Sequence, residues 1–254
     1  MSTPYTKEFF ESGCEGSVRS ASEIVPLILE MVHPKSVVDV GCGLGSWLAV
    51  FEENRLTDFL GVDGDFIDRK ELLISPEKFW PHDLQKPLHL HREFDLVVSM
   101  EVAEHLPESC ADTFVESLTR LGSVILFSAA IPHQGGKCHL NEQWPDYWAE
   151  RFRLRGYQVI DAVRKRVWKN ERVEFWYSQN TLVYARNDAV SRLPRLQEEI
   201  SRTASSQLSL VHPRMFLHAV ENPSLRKILP ALPRLATNAV RRRIPGLTRA
   251  RRVA

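Results

Sequence analysis

The strongest constraint on the fold is a glycine-rich turn that directly follows a short apolar run. The stretch VVDVGCGLGSW places Gly41, Gly43 and Gly45 after the β-branched residues of 36–40 and at the start of an amphipathic segment over 44–53. This pattern predicts a buried strand, a turn and a helix. Because glycine lacks a side chain, a ligand can approach the backbone closely at the helix N-terminus. We therefore expect a nucleotide-like ligand at this turn.

The spacing of the three glycines argues against a dinucleotide. The dinucleotide-binding fingerprint is G-x-G-x-x-G, whereas this chain has G-x-G-x-G, so that the third glycine comes one residue early. A methionine-derived cofactor has no pyrophosphate to place on the helix N-terminus. Asp39, at the end of the predicted strand, would suit the ammonium group of such a cofactor. NAD is therefore the weaker interpretation.

Two further acids follow predicted strands. Asp63 lies in GVDG at the end of the second strand, where a carboxylate can accept hydrogen bonds from both ribose hydroxyls. Asp83 lies in a His-Asp-Leu turn after a weaker third strand, where it could accept a hydrogen bond from an adenine amino group. An Asp after a strand is by itself more often a helix cap. In this order and spacing, the acids and the glycine turn together predict one cofactor site.

Short β-branched runs alternate with helical patterns, which predicts an α/β fold with helices on both faces of a mostly parallel sheet. The predicted strands are Ser36 to Val40, Phe59 to Val62, Phe79 to His82, Phe94 to Ser99 and Ser123 to Phe127. The predicted helices between and after them are Leu44 to Glu53, Cys110 to Leu121 and Glu142 to Leu154. Two more strands, Tyr157 to Val167 and Arg172 to Tyr184, are predicted to close the sheet as an antiparallel hairpin with its turn at Lys169 to Glu171.

The length of 254 residues and a hydrophobic content of 43% argue for one catalytic-sized domain with appendages. We expect residues 1–35 to form a helical cover on the cofactor side, with a helix over 17–33 that Pro26 kinks or begins. Residues 36–187 are predicted to form the catalytic domain. Residues 188–254 read as a basic tail of short helices that prolines interrupt.

The net charge of +1 hides an uneven distribution. Residues 189–254 hold 13 Arg or Lys against 3 acids, so this tail carries +10 and the rest of the chain −9. The asymmetry favours either a tail that contacts an anionic partner, such as a membrane surface or a nucleic acid, or simply solvated charge. The four cysteines lack C-x-x-C spacing, and no apolar run could span a membrane. We expect a cytoplasmic protein, with any membrane contact peripheral.

An acid and histidine cluster follows the fourth predicted strand at its C-terminal end, where ligands bind in open α/β sheets. In SMEVAEHLP, a helical turn would bring Glu101, Glu104 and His105 to one side. Two carboxylates and an imidazole could hold a divalent cation, with a fourth ligand from His139 or His133 after the fifth strand. The alternative is that these side chains form hydrogen bonds at a helix end.

These motifs resemble those of the seven-strand class I S-adenosylmethionine-dependent methyltransferases, through VVDVGCGLG, GVDG, the HDL turn and FDLVVSMEVAEHLP. The resemblance covers residues 36–131 and extends to 186. It implies a Rossmann-like sheet of seven strands with an antiparallel closing hairpin. It also implies an S-adenosylmethionine site lined by Asp39, Gly41, Gly43, Gly45, Asp63 and Asp83, with Ser99 and Met100 near the methionine half.

The E-x-x-E-H motif is similar to that of two methyltransferase families, the ubiquinone-pathway catechol O-methyltransferases and the small-RNA 2′-O-methyltransferases. This resemblance implies that Mg²⁺ or Mn²⁺ is held beside the accepting hydroxyl by Glu101, Glu104, His105 and His139. His139 is preferred to His133 because the aromatic stretch NEQWPDYW follows it, as in the RNA family.

The sequence therefore predicts an O-methyltransferase for a small hydroxylated acceptor, such as a sugar or a biosynthetic-cluster metabolite. Without a metal, His105 or His139 would serve as the general base, because imidazole titrates near neutral pH. An RNA 2′-O-methyltransferase is the second hypothesis, although the tail has few aromatic residues for base stacking. A non-catalytic, cofactor-binding scaffold is the third.

Overall fold

The computed structural model describes residues 7–221, 229, 232–234 and 237, and side chains from Cys14 onward. The chain divides into two compact units, Met1–Met215 and Phe216–Ala254. The first unit contains a central sheet with helices on both faces. Of the second unit, the structure describes the end of one helix, up to Glu221, and the few residues given above. Among the described residues, no helix has both the length and the apolar character needed to cross a bilayer.

The sheet has seven strands in the order β3-β2-β1-β4-β5-β7-β6. They are β1 Ser36–Val40, β2 Asp58–Asp63, β3 Phe79–Pro81, β4 Leu96–Met100, β5 Val124–Ser128, β6 Tyr157–Ile160 and β7 Leu182–Arg186. All neighbouring pairs are parallel except β5 with β7 and β6 with β7. The predicted Rossmann-like fold, mostly parallel with an antiparallel closing pair, is confirmed.

The helices are α1 Lys7–Val32, α2 Ser46–Glu53, α3 Ala111–Leu121, α4 Pro145–Arg153, α5 Arg164–Val167, α6 Phe175–Asn180, α7 Asn187–Val190, α8 Pro194–Ser201 and α9 Pro213–Glu221. Short 3₁₀ turns lie at Pro76–Lys78, Ala103–His105, Glu108–Cys110 and Ser205–Gln207. The N-terminal helix is longer than predicted, and Pro26 lies inside it.

Two apolar cores lie on opposite faces of the sheet, because side chains alternate along each buried strand. Val98 and Leu126 pack on one face with Ile24 of α1 and Leu48 of α2, whereas neighbouring strand residues pack on the other face against α3 and α4. Each central strand is buried along its whole length. The polar groups at the carboxyl ends of these strands therefore gather at one open edge.

The closing pair of strands is shorter than the sequence pattern predicted. We expected strands at Tyr157 to Val167 and Arg172 to Tyr184, but β6 ends at Ile160 and β7 begins only at Leu182. The residues between them form α5 and α6, so a helical connection replaces the predicted turn at Lys169 to Glu171. Both helices are short, and α6 begins with three aromatic residues, which also suit a strand.

The segment directly after β7 packs onto the first unit. Leu196 of α8 is fully buried in the same core as α1, and Leu208 and Met215 are also buried. The expected end of the catalytic domain at residue 187 therefore falls inside the first compact unit, which ends at Met215. Most of the arginine-rich part of the predicted tail lies outside the described residues.

Candidate active site

The glycine turn joins β1 to α2 and opens at the edge of the sheet. Gly41 and Gly43 have φ angles of 87° and 54°, a conformation that side chains disfavour. The N–H of Gly41 donates to the Val62 carbonyl at 2.7 Å, which fixes the turn against β2. A Cβ on Gly41 would lie 2.4 Å from Val102 Cγ2. Glycine is therefore required at residue 41 by both backbone and space.

Asp63 ends β2 with its carboxylate beside the turn. Its two oxygens accept the N–H groups of Gly43 at 2.7 Å and Gly64 at 2.6 Å. Burial raises the pKa of Asp63 to about 6, although these two hydrogen bonds oppose the rise. The carboxylate is therefore held rigidly at the rim of the turn, with its remaining lone pairs available to hydroxyl groups of a ligand.

A cleft runs along this edge in two parts. The acidic part, about 730 Å³ including its mouth, is lined by Gly41, Gly43, Asp63, Gly64, Phe66, His82, Asp83, Leu84, Gln85, Glu101, Val102, His105 and Leu106. The aromatic part, about 580 Å³, is lined by Cys14, Ser17, Gly41, Cys42, Gly43, Leu44, Ser46, Trp47, Met100, Glu101 and Tyr177. The two parts share Gly41, Gly43 and Glu101, which therefore mark their junction.

Three residues predicted at the cofactor site lie behind the cleft rather than on its wall. Asp39 is buried, and its Oδ2 makes no hydrogen bond within the described residues. Gly45 is the N-cap of α2, where a Cβ would lie 3.0 Å from Ile74. The Ser99 hydroxyl donates to the Val40 carbonyl at 2.9 Å and so joins β4 to β1. These residues shape the strand ends that carry the cleft.

The predicted acid and histidine cluster forms in part. Glu104, His105 and His139 each offer a ligand atom, and these atoms lie within 4.8 Å of one another. The rings of His105 and His139 meet edge to face, with centroids 4.9 Å apart. Glu101 is not among these three, because it precedes the Ala103–His105 turn and has a φ of 55°. His133 also lies outside the cluster, and its N–H donates to Glu142.

Burial dominates the electrostatics of this cluster. Glu104 is fully buried, and burial together with the nearby charge of Glu101 raises its pKa well above the usual value. Burial lowers the pKa of His105 to about 4, and His139 adds to this effect. His105 is therefore neutral near pH 7, the form that can bind a metal or accept a proton.

Comparison with known proteins identifies the family. A family model described as a methyltransferase domain matches residues 19–171, which is more than half of the chain. The chain belongs to the class I S-adenosylmethionine-dependent methyltransferases. This match spans the glycine turn, the acid at the end of β2 and the acid and histidine cluster.

Solved structures of two other methyltransferases share the fold. The S-adenosylmethionine-bound amino pentose methyltransferase of calicheamicin biosynthesis from Micromonospora echinaspora is 13% identical, with a TM-score of 0.52 over 74% of this chain and 100% of that one. A sugar N-methyltransferase from a Streptoalloteichus species is 14% identical, with a TM-score of 0.54 over 73% of this chain and 94% of that one.

The cleft of this methyltransferase fits S-adenosylmethionine. The exposed backbone of the glycine turn can approach the cofactor, and the rigid carboxylate of Asp63 presents acceptors for ribose hydroxyls. Asp83 lies in the same acidic part, where adenine is expected. Met100 lies in the aromatic part, where the methionine half is expected.

Sequence reasoning missed residues from α1 and α6 that wall the aromatic part of this methyltransferase's cleft. Trp47 and Tyr177 meet edge to face with centroids 5.2 Å apart. The Tyr177 and Ser17 hydroxyl oxygens are 3.0 Å apart. The aromatic residues 175–177 lie on the helix α6, within a stretch that the sequence pattern predicted as strand.

Two further groups of the methyltransferase support the acid and histidine residues. Glu142 holds the His139 ring, with Nδ1 and Oε1 3.0 Å apart, and so directs Nε2 away from this bond. Glu101 accepts Gln134 Nε2 at 2.8 Å and Asn180 Nδ2 at 3.0 Å. Burial raises the pKa of Glu101, while hydrogen bonds from these amides and Ser128 oppose the rise.

Proposed function

We propose that this methyltransferase transfers a methyl group to a hydroxyl of a small acceptor, with a divalent cation held by Glu104, His105 and His139. The buried carboxylate of Glu104 carries this proposal. Neither of its oxygens makes a hydrogen bond within the part of the chain that the structure describes. An unpaired buried charge is costly, and a cation or a proton must compensate it.

The donor set favours a cation over a proton. Two imidazoles lie beside Glu104, and the lowered pKa of His105 keeps its ring neutral and able to bind a metal. Carboxylate and imidazole together suit a divalent ion such as Mn²⁺, whereas Mg²⁺ prefers oxygen ligands and water. Glu101 lies near enough to raise the pKa of Glu104, so a cation would relieve repulsion between two carboxylates.

The chemistry needs alignment and removal of one proton. The sulfonium methyl of S-adenosylmethionine is already activated, so the protein mainly aligns acceptor oxygen, methyl carbon and sulfur. A bound cation would act as a Lewis acid that lowers the pKa of the accepting hydroxyl. His105 and His139 lie beside Glu104, and His139 is oriented by Glu142. Without a cation, either imidazole could accept the proton.

One observation supports a small acceptor. The two structural neighbours act, by their names, on an amino pentose and on a sugar. A cation can bind two neighbouring oxygens at once, so a vicinal diol such as that of a sugar is the acceptor class we propose.

The test is methyl transfer from labelled S-adenosylmethionine to fractions of a host extract, with and without chelator. We expect chelator to abolish transfer and Mn²⁺ or Mg²⁺ to restore it. Glu104→Ala, His105→Ala and His139→Ala should each lower transfer by about 100-fold or more, because each removes a ligand or base, while cofactor affinity changes little. His133→Ala is the matched control, since His133 lies outside the cluster, and it should retain activity.

A different pattern of results would contradict the proposed divalent cation. If chelator leaves transfer unchanged while His105→Ala or His139→Ala abolishes it, a histidine is the general base and the argument for a vicinal diol fails. If cofactor binds but no fraction accepts a methyl group under any condition, the protein is a cofactor-binding scaffold.

A further inference from the structure

Glu101 is held by a chain of three buried amides. Gln134 and Asn180 donate to its two carboxylate oxygens at 2.8 and 3.0 Å. Gln179 lies behind them, and its Nε2 donates to Gln134 Oε1 at 3.2 Å and to Asn180 Oδ1 at 2.9 Å. The Gln179 carbonyl oxygen Oε1 in turn accepts the backbone N–H of His212 at 2.8 Å.

Two backbone N–H groups set the directions of these amides. A backbone N–H can only donate, so His212 requires the oxygen of Gln179 to face it, and Ile131 donates to Gln134 Oε1 at 3.4 Å. The Gln179 amino group then faces the oxygens of Gln134 and Asn180, whose own amino groups point at Glu101. Reversal of Gln179 would bring its oxygen against the oxygens of Gln134 and Asn180. Because Gln179 is fully buried, no water can compensate for such a reversal.

The Gln179 end of this series of amides is itself held by hydrogen bonds to the catalytic domain. Arg164 is buried, and its Nη1 donates to the Leu208 carbonyl at 2.6 Å and to the Gln179 carbonyl at 3.3 Å. The His212 ring bonds the Trp168 carbonyl through Nε2 at 2.8 Å. The segment 208–212, beyond the last strand, thus contacts Gln179 directly through His212 and indirectly through Arg164.

We propose that Gln179 is a positioning residue that aims the Glu101 carboxylate at the sulfonium of S-adenosylmethionine. The proposal rests on the cofactor site of the proposed function. Glu101 lies at the junction of the acidic and aromatic parts of the cleft, between the positions of the adenosine and methionine halves. Both of its oxygens accept N–H groups, which stabilise the ionised carboxylate against the cost of burial. A fixed negative charge at this junction favours binding of S-adenosylmethionine, whose sulfur is positively charged. It does not favour the product, S-adenosylhomocysteine, whose sulfur is neutral.

The main experiment is a double-mutant cycle read by the ratio of the two cofactor affinities. Calorimetry in chelator and without acceptor gives this ratio for the full chain. We expect Glu101→Gln to lower the preference for S-adenosylmethionine by about tenfold, and Gln179→Met by about threefold or more in the same direction, with the product's affinity nearly unchanged. Glu101→Gln with Gln179→Met together should show no further loss beyond Glu101→Gln alone.

Two more variants separate positioning from packing. Gln179→Glu keeps an acceptor for His212 but removes the amino group that directs Gln134 and Asn180, so it should lower the ratio as Gln179→Met does. Gln158→Met is the matched control, because Gln158 lies on β6 and its side chain donates to Asn187, away from the amides that hold Glu101. It should leave the ratio unchanged.

A measurement on the protein without bound cofactor completes the test. In ¹⁵N-labelled protein, the side-chain NH₂ resonances of Gln134 and Asn180 should shift in Gln179→Met and stay in place in Gln158→Met. Equal losses of affinity for S-adenosylmethionine and S-adenosylhomocysteine would show that Gln179 contributes only packing. Additive effects of the substitutions at residues 101 and 179 would show the same. A wild-type protein that binds neither cofactor would contradict the cofactor site itself. Because calorimetry is done in chelator, neither outcome depends on the proposed cation.

Discussion

Burial and hydrogen bonding oppose each other at the Asp63 carboxylate. Burial favours the protonated form and raises the pKa to about 6, whereas the N–H groups of Gly43 and Gly64 favour the ionised form. Asp39 lies close by, and burial followed by the charge of Asp63 raises its pKa as well. Ribose hydroxyls would donate to an ionised carboxylate. Cofactor binding and the ionisation of Asp63 are therefore coupled.

This coupling predicts that cofactor affinity falls as the pH is lowered. The raised pKa means that the free protein takes up a proton at Asp63 near pH 6, and the cofactor must displace it. Affinity for S-adenosylhomocysteine should be constant above about pH 7 and fall by about tenfold at pH 5, since one pH unit below the pKa leaves about a tenth of the sites ionised. Calorimetry from pH 5 to 8 measures this.

Asp63→Asn provides the control for the pH profile. It should bind the cofactor weakly and with little pH dependence over the same range, because the titrating group is gone. A profile of the native protein that stays flat down to pH 5 would exclude this coupling.

At the residue scale, sequence predicted the cofactor side better than the acceptor side. Gly41 and Asp63 sit in local strand-end motifs, so their spacing along the chain already places them at one edge. Asn180 reaches Glu101 from a helix 79 residues further along the chain, and Gln179 lies behind it. No local pattern marks a glutamine as the amide that faces a carboxylate, so these residues were missed.

The loop between β5 and α4 is the element that places His139. Gly136 packs so closely on this histidine that a Cβ at residue 136 would lie 2.2 Å from His139 Nε2. Gly135 is the natural comparison, because a Cβ there would meet no atom of the described residues within 4 Å. Both glycines have positive φ angles, 74° at residue 135 and 156° at residue 136. Alanine would strain the backbone at either residue but would collide with the histidine only at residue 136.

We therefore predict that Gly136→Ala weakens Mn²⁺ binding by about tenfold or more, as loss of a ligand's orientation does in metal sites. Gly135→Ala should cost stability through strain but leave Mn²⁺ affinity within about twofold, because it does not touch His139. Electron paramagnetic resonance of free Mn²⁺ measures both, with His139→Ala giving the full loss. Equal effects of the two glycine changes would mean that the loop does not act through the histidine.

At the element scale, the central strands were predictable and the last ones were not. β1, β4 and β5 are buried on both faces, so their continuous apolar runs identify them without knowledge of their neighbours. The first three residues of α6 are aromatic and also suit a strand, so the helical state of this segment depends on packing. The left-handed backbone of Glu101 likewise could not be predicted, because it is unfavourable locally and stabilised by its surroundings.

Over the whole molecule, the change to a basic composition and the end of the first compact unit fall at different residues. The sequence changes to a basic composition near residue 189, but buried residues continue to Met215. Glu199 is buried and binds Lys165, Arg166 and Arg202, so part of the added positive charge is neutralised within the unit. Composition alone therefore predicted a boundary where hydrogen bonds and packing show continuity.

This difference leads to a prediction for two truncations. Leu196, Leu208 and Met215 are almost completely buried, and burial of each contributes about 1.5–3 kcal/mol. Removal of residues 190–254 deletes all three, and for a unit of this size a loss of several kcal/mol lowers Tm by roughly 10 °C or more. Removal of residues 216–254 deletes none of them, so Tm should change by only about 2 °C.

Thermal melts with and without S-adenosylhomocysteine measure both truncations, since ligand binding should still raise Tm in the shorter deletion. If the protein without residues 190–254 melts as the full chain does, the segment 188–215 adds nothing to the core, and the catalytic domain ends at residue 187.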